Sequence, residues 1–245
     1  MLPSARWGRW FSWRTRMSIP EVVTAQWRHD FAAHGVPMAV LPDGCRDLIC
    51  VQVQGLAPRW MVTPLFDHAH LPRLACAETR MVGYRLHPDV RLDQGALLGA
   101  VAGRDPDDRV AVEAALAAHA CRDPALAEAL ACLADAPRPL VQSARQCGLS
   151  LRSLQRLVGE RSGRPPVFWH QLARIRRAGR MLGGERPLAE VALCAGFADQ
   201  AHLSRACRRW FGLSPARLAR APELRWQLGQ PGYDGMATGE QSSTR

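Results

Sequence analysis

Lysine is absent from this chain. All 32 basic side chains are arginine, set against 22 Asp and Glu for a net charge of +10. Arginine presents a planar fork of donors that matches phosphate oxygens and base edges. A GC-rich bacterial genome produces the same bias, so the arginine content alone names no ligand. No apolar run approaches the ~18 residues that a membrane span requires. The eight cysteines include no C-x-x-C pair, which removes the usual zinc and redox spacings and leaves reduced, buried thiols as the expectation. Trp7-Gly8-Arg9-Trp10-Phe11-Ser12-Trp13-Arg14 lacks the apolar h-region of an export signal. It reads as part of a flexible extension over 1–17, with Met17 an alternative start. A Gly-rich phosphate loop and a Ser/His/Asp signature are both missing, so the chain is expected not to be an enzyme and to need no cofactor or metal.

What is present is unevenly distributed. The chain has 245 residues, 47% of them hydrophobic, enough for two modest cores. Residues 1–137 hold 14 Arg and 15 acids, whereas residues 138–225 hold 17 Arg and only 5 acids. A strongly basic third beside a neutral remainder is the electrostatic footprint of a nucleic-acid-binding domain joined to something else.

That basic third contains an internal repeat. At an offset of 48, Arg138, Pro139, Leu140, Ala144 and Gly148 meet Arg186, Pro187, Leu188, Ala192 and Gly196. The offset then becomes 49, and Leu154, Arg156, Gly163 and Pro166 meet Leu203, Arg205, Gly212 and Pro215. Each copy reads as helix, tight turn, helix. Gly148 and Gly196 end the first helices, and Ser150 and Asp199 cap the second ones. Leu151, Leu154, Leu157 and Val158 form one inner stripe, and Leu203, Ala206 and Trp210 the other. Residues 166–182 read as a longer helix joining the copies, with Arg174, Arg176, Arg177 and Arg180 around its apolar stripe. Helix-turn-helix units place the start of the second helix in the major groove, so two on one frame read segments about one turn, ~34 Å, apart.

Ala144-x-x-x-Gly148-x-Ser150-x-Arg152-x-Leu154-x-Arg156, Gly196-Phe197-Ala198-Asp199-Gln200-Ala201-His202-Leu203-Ser204-Arg205 and Trp210-Phe211-Gly212-Leu213-Ser214-Pro215 strongly resemble the AraC/XylS transcriptional regulators over about 138–220. The resemblance implies a DNA face made of Arg152, Gln155 and Arg156 in the first reading helix, and the helix pattern adds Ser153 on or beside the same outer face. In the second the resemblance implies Gln200, Ala201, His202, Ser204 and Arg205. It also implies activation through RNA polymerase. On chemistry alone, Arg suits guanine O6/N7 and Gln suits adenine N6/N7. A single exposed Arg is usually just solvated, but equivalent arginines on two reading helices favour base contact. His202 is equally suited to capping, packing or phosphate contact. Arg176 and Arg177 are expected to hold phosphates without regard to sequence.

The first half is less legible. The apolar run 36–41, the turn Pro42-Asp43-Gly44 and the strand formers Asp47 to Val53 predict a hairpin. Residues 59–66 and 80–86 read as further strands, and 108–119 and 124–134 as helices. Leu41-Pro42-Asp43-Gly44-Cys45-Arg46-Asp47-Leu48-Ile49 and Val82-Gly83-Tyr84-Arg85-Leu86-His87-Pro88 resemble the β-rich sensor half of one AraC subgroup, with Asp89 where relatives tend to have glycine. Asp43, Arg46, Asp47 and Arg85 are expected to serve turns and ion pairs. His68, His70 and His87 with Cys45, Cys50 or Cys76 lack a recognised metal spacing.

The expectation is therefore an α+β chain: a flexible extension over 1–17, a small β-rich domain, barrel-like or incomplete, with two helices over 18–136, an all-α double helix-turn-helix domain over 137–222, and a disordered tail over 223–245. It is expected to be a sequence-specific regulator of transcription in the bacterial cytoplasm, at the nucleoid. Promoter DNA is its expected partner, RNA polymerase, a small-molecule effector and a second copy of the chain are further candidates, and no membrane is involved. The alternatives are a DNA-repair alkyltransferase, although no Pro-Cys-His-Arg motif is present, and a non-specific architectural DNA-binding protein.

Overall fold

The computed structural model describes residues 20–31, 39–72, 77–135 and 138–236; the expected extension 1–17 and the last nine residues lie outside them. The chain divides into two units, the first made of 1–37, 46–63 and 73–121 and the second of 38–45, 64–72 and 122–245.

The first unit is built on four strands, β1 (Val23–Phe31), β2 (Asp47–Val53), β3 (Arg59–Val62) and β4 (Thr79–Leu86), in the antiparallel order β1-β4-β2-β3. The sheet is open, with β1 and β3 as its edges, so the incomplete form is found rather than a barrel. Leu48, Cys50, Val82, Tyr84 and Leu86 supply one buried face. Against it pack Leu97 and Val101 of α1 (Gln94–Val101) and Val112 and Leu116 of α2 (Arg109–His119). Asp93 and Asp108 cap these helices. A short two-stranded sheet pairs β5 (Val90–Leu92) with β6 (Ala120–Arg122).

The predicted hairpin between 36–41 and 47–53 does not form. β2 pairs with β3 and β4, while of the described part of the run only Val40 bridges, to His70. The reason is the destination of Leu41, which is buried in the helical core of the second unit. An apolar run shows burial but not which core receives it. The turn itself is as expected: Gly44 has φ +80° and the Asp43 carboxylate accepts from the Cys45 N–H. Strand β1 was not foreseen because its polar residues hide the alternation, and α1 because eight mostly apolar residues show no amphipathic stripe.

The second unit holds α3 (Pro124–Ala134), α4 (Leu140–Gln146), α5 (Leu151–Ser162), α6 (Pro166–Met181), α7 (Leu188–Cys194), α8 (Gln200–Phe211), α9 (Pro215–Ala219), α10 (Pro222–Gly229) and α11 (Tyr233–Met236). Two expected boundaries are corrected here. Helix α3 belongs with the helical core, since Leu126, Leu130 and Leu133 are buried in it and Asp123, its N-cap, takes both oxygens to Arg161 of α5 at 2.7 and 3.0 Å. Cys132 of α3 also meets Cys147 at the end of α4, across a Cα separation of 6.5 Å.

The second correction is the tail. Residues 223–236 carry two helices, and Leu224, Leu228 and Tyr233 are core residues. The Gln227 amide donates to Ala39 O and accepts from Leu41 N, at 2.8 and 3.0 Å. Tyr233 N donates to Asp43 O at 2.9 Å, and its hydroxyl donates to Trp169 O. Polar composition concealed these few anchors, each meeting a partner far away in sequence.

Candidate nucleic-acid interface

The repeat is reproduced in the hydrogen bond that closes each turn. In the first copy Leu149 N donates to Ala144 O at 2.9 Å, and in the second Phe197 N donates to Ala192 O at 2.8 Å. Gly148 and Gly196 adopt φ +67° and +78°, the left-handed backbone that a side chain would strain. The second turn is longer by one residue, which accounts for the change of offset. Helices α5 and α8 each run 12 residues and stop at left-handed glycines, Gly163 and Gly212. The 16-residue α6 between the copies spans about 24 Å at ~1.5 Å per residue.

Capping fixes where each reading helix begins. The Ser150 hydroxyl accepts from Ser153 N at 3.1 Å, and the Asp199 carboxylate accepts from His202 N at 2.6 Å. Replacing Ser150 or Asp199 with Ala is expected to cost about 1 kcal/mol each, read as a lower urea midpoint.

Past the caps, the inner stripes are buried at Leu154, Val158, Leu203, Cys207 and Trp210. That leaves Arg152, Gln155 and Arg156 exposed on α5, and Gln200, Ala201 and Arg205 exposed on α8. Among the described residues, Arg152, Arg156, Arg205 and Arg208 have no acidic partner within 4.0 Å, so their guanidinium forks are available to a ligand. Ser153, His202 and Ser204 are half-buried. Ser153 Oγ accepts a hydrogen bond from the Ser150 hydroxyl at 3.0 Å. The His202 ring stands edge-on to Phe197, centroids 5.2 Å apart. These three therefore help to build the helix starts as well as flank the exposed face.

One sequence expectation fails. Arg176 is not a phosphate contact: its side chain is 1% exposed, with Nε 2.8 Å from Asp234 Oδ1 and further bonds to Pro42 O and Gln230 O. Its position on α6 gave no hint of this, since Asp234 lies 58 residues on in the supposed tail. The structure adds Gln171, Arg174 and Arg209, which line a cavity between α6 and α8 together with Arg205. Their nearness follows from helix packing and leaves no sequence motif.

Burial pushes the Cys50 thiol up to about 11 and the Cys207 thiol up to about 12, the reverse of what a reactive thiolate needs. Among the described residues no three or more His, Cys, Asp or Glu side chains are grouped to hold a metal, and no helix is long and apolar enough to cross a membrane.

Comparison with known proteins agrees with this geometry. The family profile described as "Helix-turn-helix domain" matches residues 143–221. The chain is 38% identical over 84 residues to the transcriptional activator NphR of Rhodococcus sp, covering 34% of this chain and 25% of that protein. It is 38% identical over 87 residues to the HTH-type transcriptional regulator GlxA of Rhizobium meliloti, covering 34% and 26%. The matched part of the chain thus spans about a quarter of these relatives' length. Among solved structures it is similar to an AraC-type transcriptional regulator from Chromobacterium violaceum (28% identity, 44% of this chain and 96% of that one, TM-score 0.36). It is also similar to ToxT from Vibrio cholerae O395 (9% identity, 83% and 97%, TM-score 0.43). Residues 143–221 therefore carry a helix-turn-helix domain similar to that of these transcriptional regulators.

Proposed function

We propose that the protein is a sequence-specific DNA-binding regulator of transcription that reads two successive major-groove segments, one through α5 and one through α8. The observation that carries this is the duplicated unit: two reading helices of equal length, capped alike, each offering arginine and glutamine without acidic partners. Among its residues, Arg152, Gln155, Arg156, Gln200 and Arg205 are assigned to base edges, and Ser153, Ala201, His202 and Ser204 to the flanks of that contact. Promoter DNA in the bacterial cytoplasm is the partner. Contact with RNA polymerase and pairing with a second copy are part of the proposal on family grounds. The matching regulators support a non-enzymatic role.

Selection from random duplexes tests this. Wild type is expected to enrich a site with two segments, whereas Arg156→Ala and Arg205→Ala each relax choice at one segment by about 1–3 kcal/mol per base pair. Equal losses on selected and unrelated duplexes would remove the base-reading assignment. A flat selection by wild type would favour the architectural alternative.

Control is assigned to the first unit. A cleft of about 510 Å³ at the ends of β1, β2 and β4, bordered by Asp30, Phe31, Gln52, Leu56 and Arg80, suits a small polar effector. The measurement is thermal stability of the whole chain across metabolites, where a ligand at 100 times its Kd adds about 2.7 kcal/mol. A fragment over 18–136 is unsuitable, because it removes 39–45 and 64–72 from the helical unit to which they belong.

A further inference from the structure

Helices α6 and α8 leave between them a partly enclosed cavity of about 200 Å³. Three guanidinium groups, Arg174, Arg205 and Arg209, border it together with the Gln171 amide, and no carboxylate does. Like charges brought together beside low-dielectric walls repel one another unless an anion joins them.

Arg174 is also anchored. Arg174 lies 4.5 Å over the Phe197 ring and donates to the carbonyl oxygens of Ala195, at 3.4 Å, and Gly196. Those bonds use part of its fork and leave the rest for the cavity. Arg209 lies 5.9 Å from the Trp210 ring centroid. At 4.5 Å the Phe197 ring face holds the Arg174 guanidinium while its free N–H edge stays open, the arrangement that suits an oxyanion. Arg209 follows Arg205 by four residues, one helical turn further from the N-terminal end of α8 where bases are read.

We propose that this cavity seats a backbone phosphate of the duplex beside the segment read by α8, with Arg174 and Arg209 as donors and Gln171 beside them. The inference rests on the reading given under Proposed function and adds to it a contact that sets register without reading sequence. Arg205 borders both regions and aligns the base contact with the phosphate seat.

The test uses the whole chain, the selected duplex and an unrelated one, titrated between 50 and 200 mM salt. Losing one phosphate contact lowers the salt slope by about 0.9, so in Arg209→Gln the affinity ratio between these two salt concentrations is expected to fall about 3-fold. The loss should be similar on both duplexes, and Arg209→Lys should keep the wild-type ratio because it keeps the charge. A neutral methylphosphonate walked along the α8 half of the site should weaken wild type at one position and weaken Arg209→Gln less there, since only Arg174 is then left to meet that phosphate. An unchanged salt ratio in Arg209→Gln, or the same methylphosphonate profile in both proteins, overturns the seat. So does a saturable thermal shift by inorganic phosphate that Arg209→Gln abolishes while its salt ratio stays at wild type, since the cavity then serves a free oxyanion. Failure of wild type to bind any duplex would instead remove the DNA-binding reading itself, and the seat with it.

Discussion

Asp234→Ala lowers the unfolding free energy of the chain by about 3–5 kcal/mol, the expected cost of leaving a buried charge without its partner. Arg176 and Asp234 are 1% and 2% exposed, and Arg180 reaches the second Asp234 oxygen at 2.6 Å. Removing the carboxylate strands the Arg176 guanidinium where water cannot replace the lost bond. Its remaining partners, Pro42 O and Gln230 O, are neutral. Urea unfolding gives the measurement, and Arg176→Met combined with Asp234→Ala should recover part of the loss, because no charge is then left buried. A drop below 1 kcal/mol in the single variant would mean that water or a neighbouring group solvates Arg176.

The same pair predicts an acid response. Burial alone would raise the Asp234 carboxyl, but the guanidiniums of Arg176 and Arg180 outweigh it and hold the group below the usual carboxylate range. A depressed folded-state pKa adds stability that is complete above the unfolded value of about 4 and is lost as pH falls through the lower folded value. Wild type should therefore lose stability below about pH 4, and Asp234→Asn should lack that component of the decline.

Gly83→Ala has the second large effect, about 3 kcal/mol, and acts on the first unit. In the β1–β4 register Gly83 faces Trp27, and a Cβ at Gly83 would lie 2.1 Å from Trp27 Cε2 and 2.3 Å from Cζ2. No rotation about the new bond relieves an overlap at Cβ itself, so the indole or the strand must move. Moving the indole also breaks its Nε1 bond to the buried Asp47 carboxylate, 2.9 Å long, an oxygen that Arg85 Nε meets only at 3.4 Å. Urea unfolding followed by tryptophan emission reports the change. An unaltered midpoint would show that β1 can slide away from β4 at little cost.

The two halves of the chain differ in how much of this was legible. In the basic third, helices, turns and caps were readable because each depends on neighbours in sequence. Ser150 and Asp199 reach N–H groups three residues on, and Gly148 and Gly196 supply a backbone that other residues resist. Duplication doubled that signal. The exposed arginines of α5 and α8 were legible for the same reason, since the inner stripe assigns the outer face. Arg176 was not, although it is part of the same helical pattern. Nothing local distinguishes an arginine that meets solvent from one that meets Asp234. In the first half, turns and ion pairs were expected of Asp43, Arg46, Asp47 and Arg85, and only the structure shows which partners meet, Asp47 with Arg85; β1 was hidden by its polar residues.

By itself the sequence determined the duplicated helix-turn-helix, its caps, its one-residue slip and its outward arginines, because helix periodicity and capping act over three or four residues. Only the tertiary structure decided that Leu41, α3 and residues 223–236 complete the helical core, that Arg176 is buried, and that Arg174, Arg205 and Arg209 border one cavity. Each of these depends on groups brought together from distant parts of the chain, where burial and charge pairing are set by packing and leave no periodic trace.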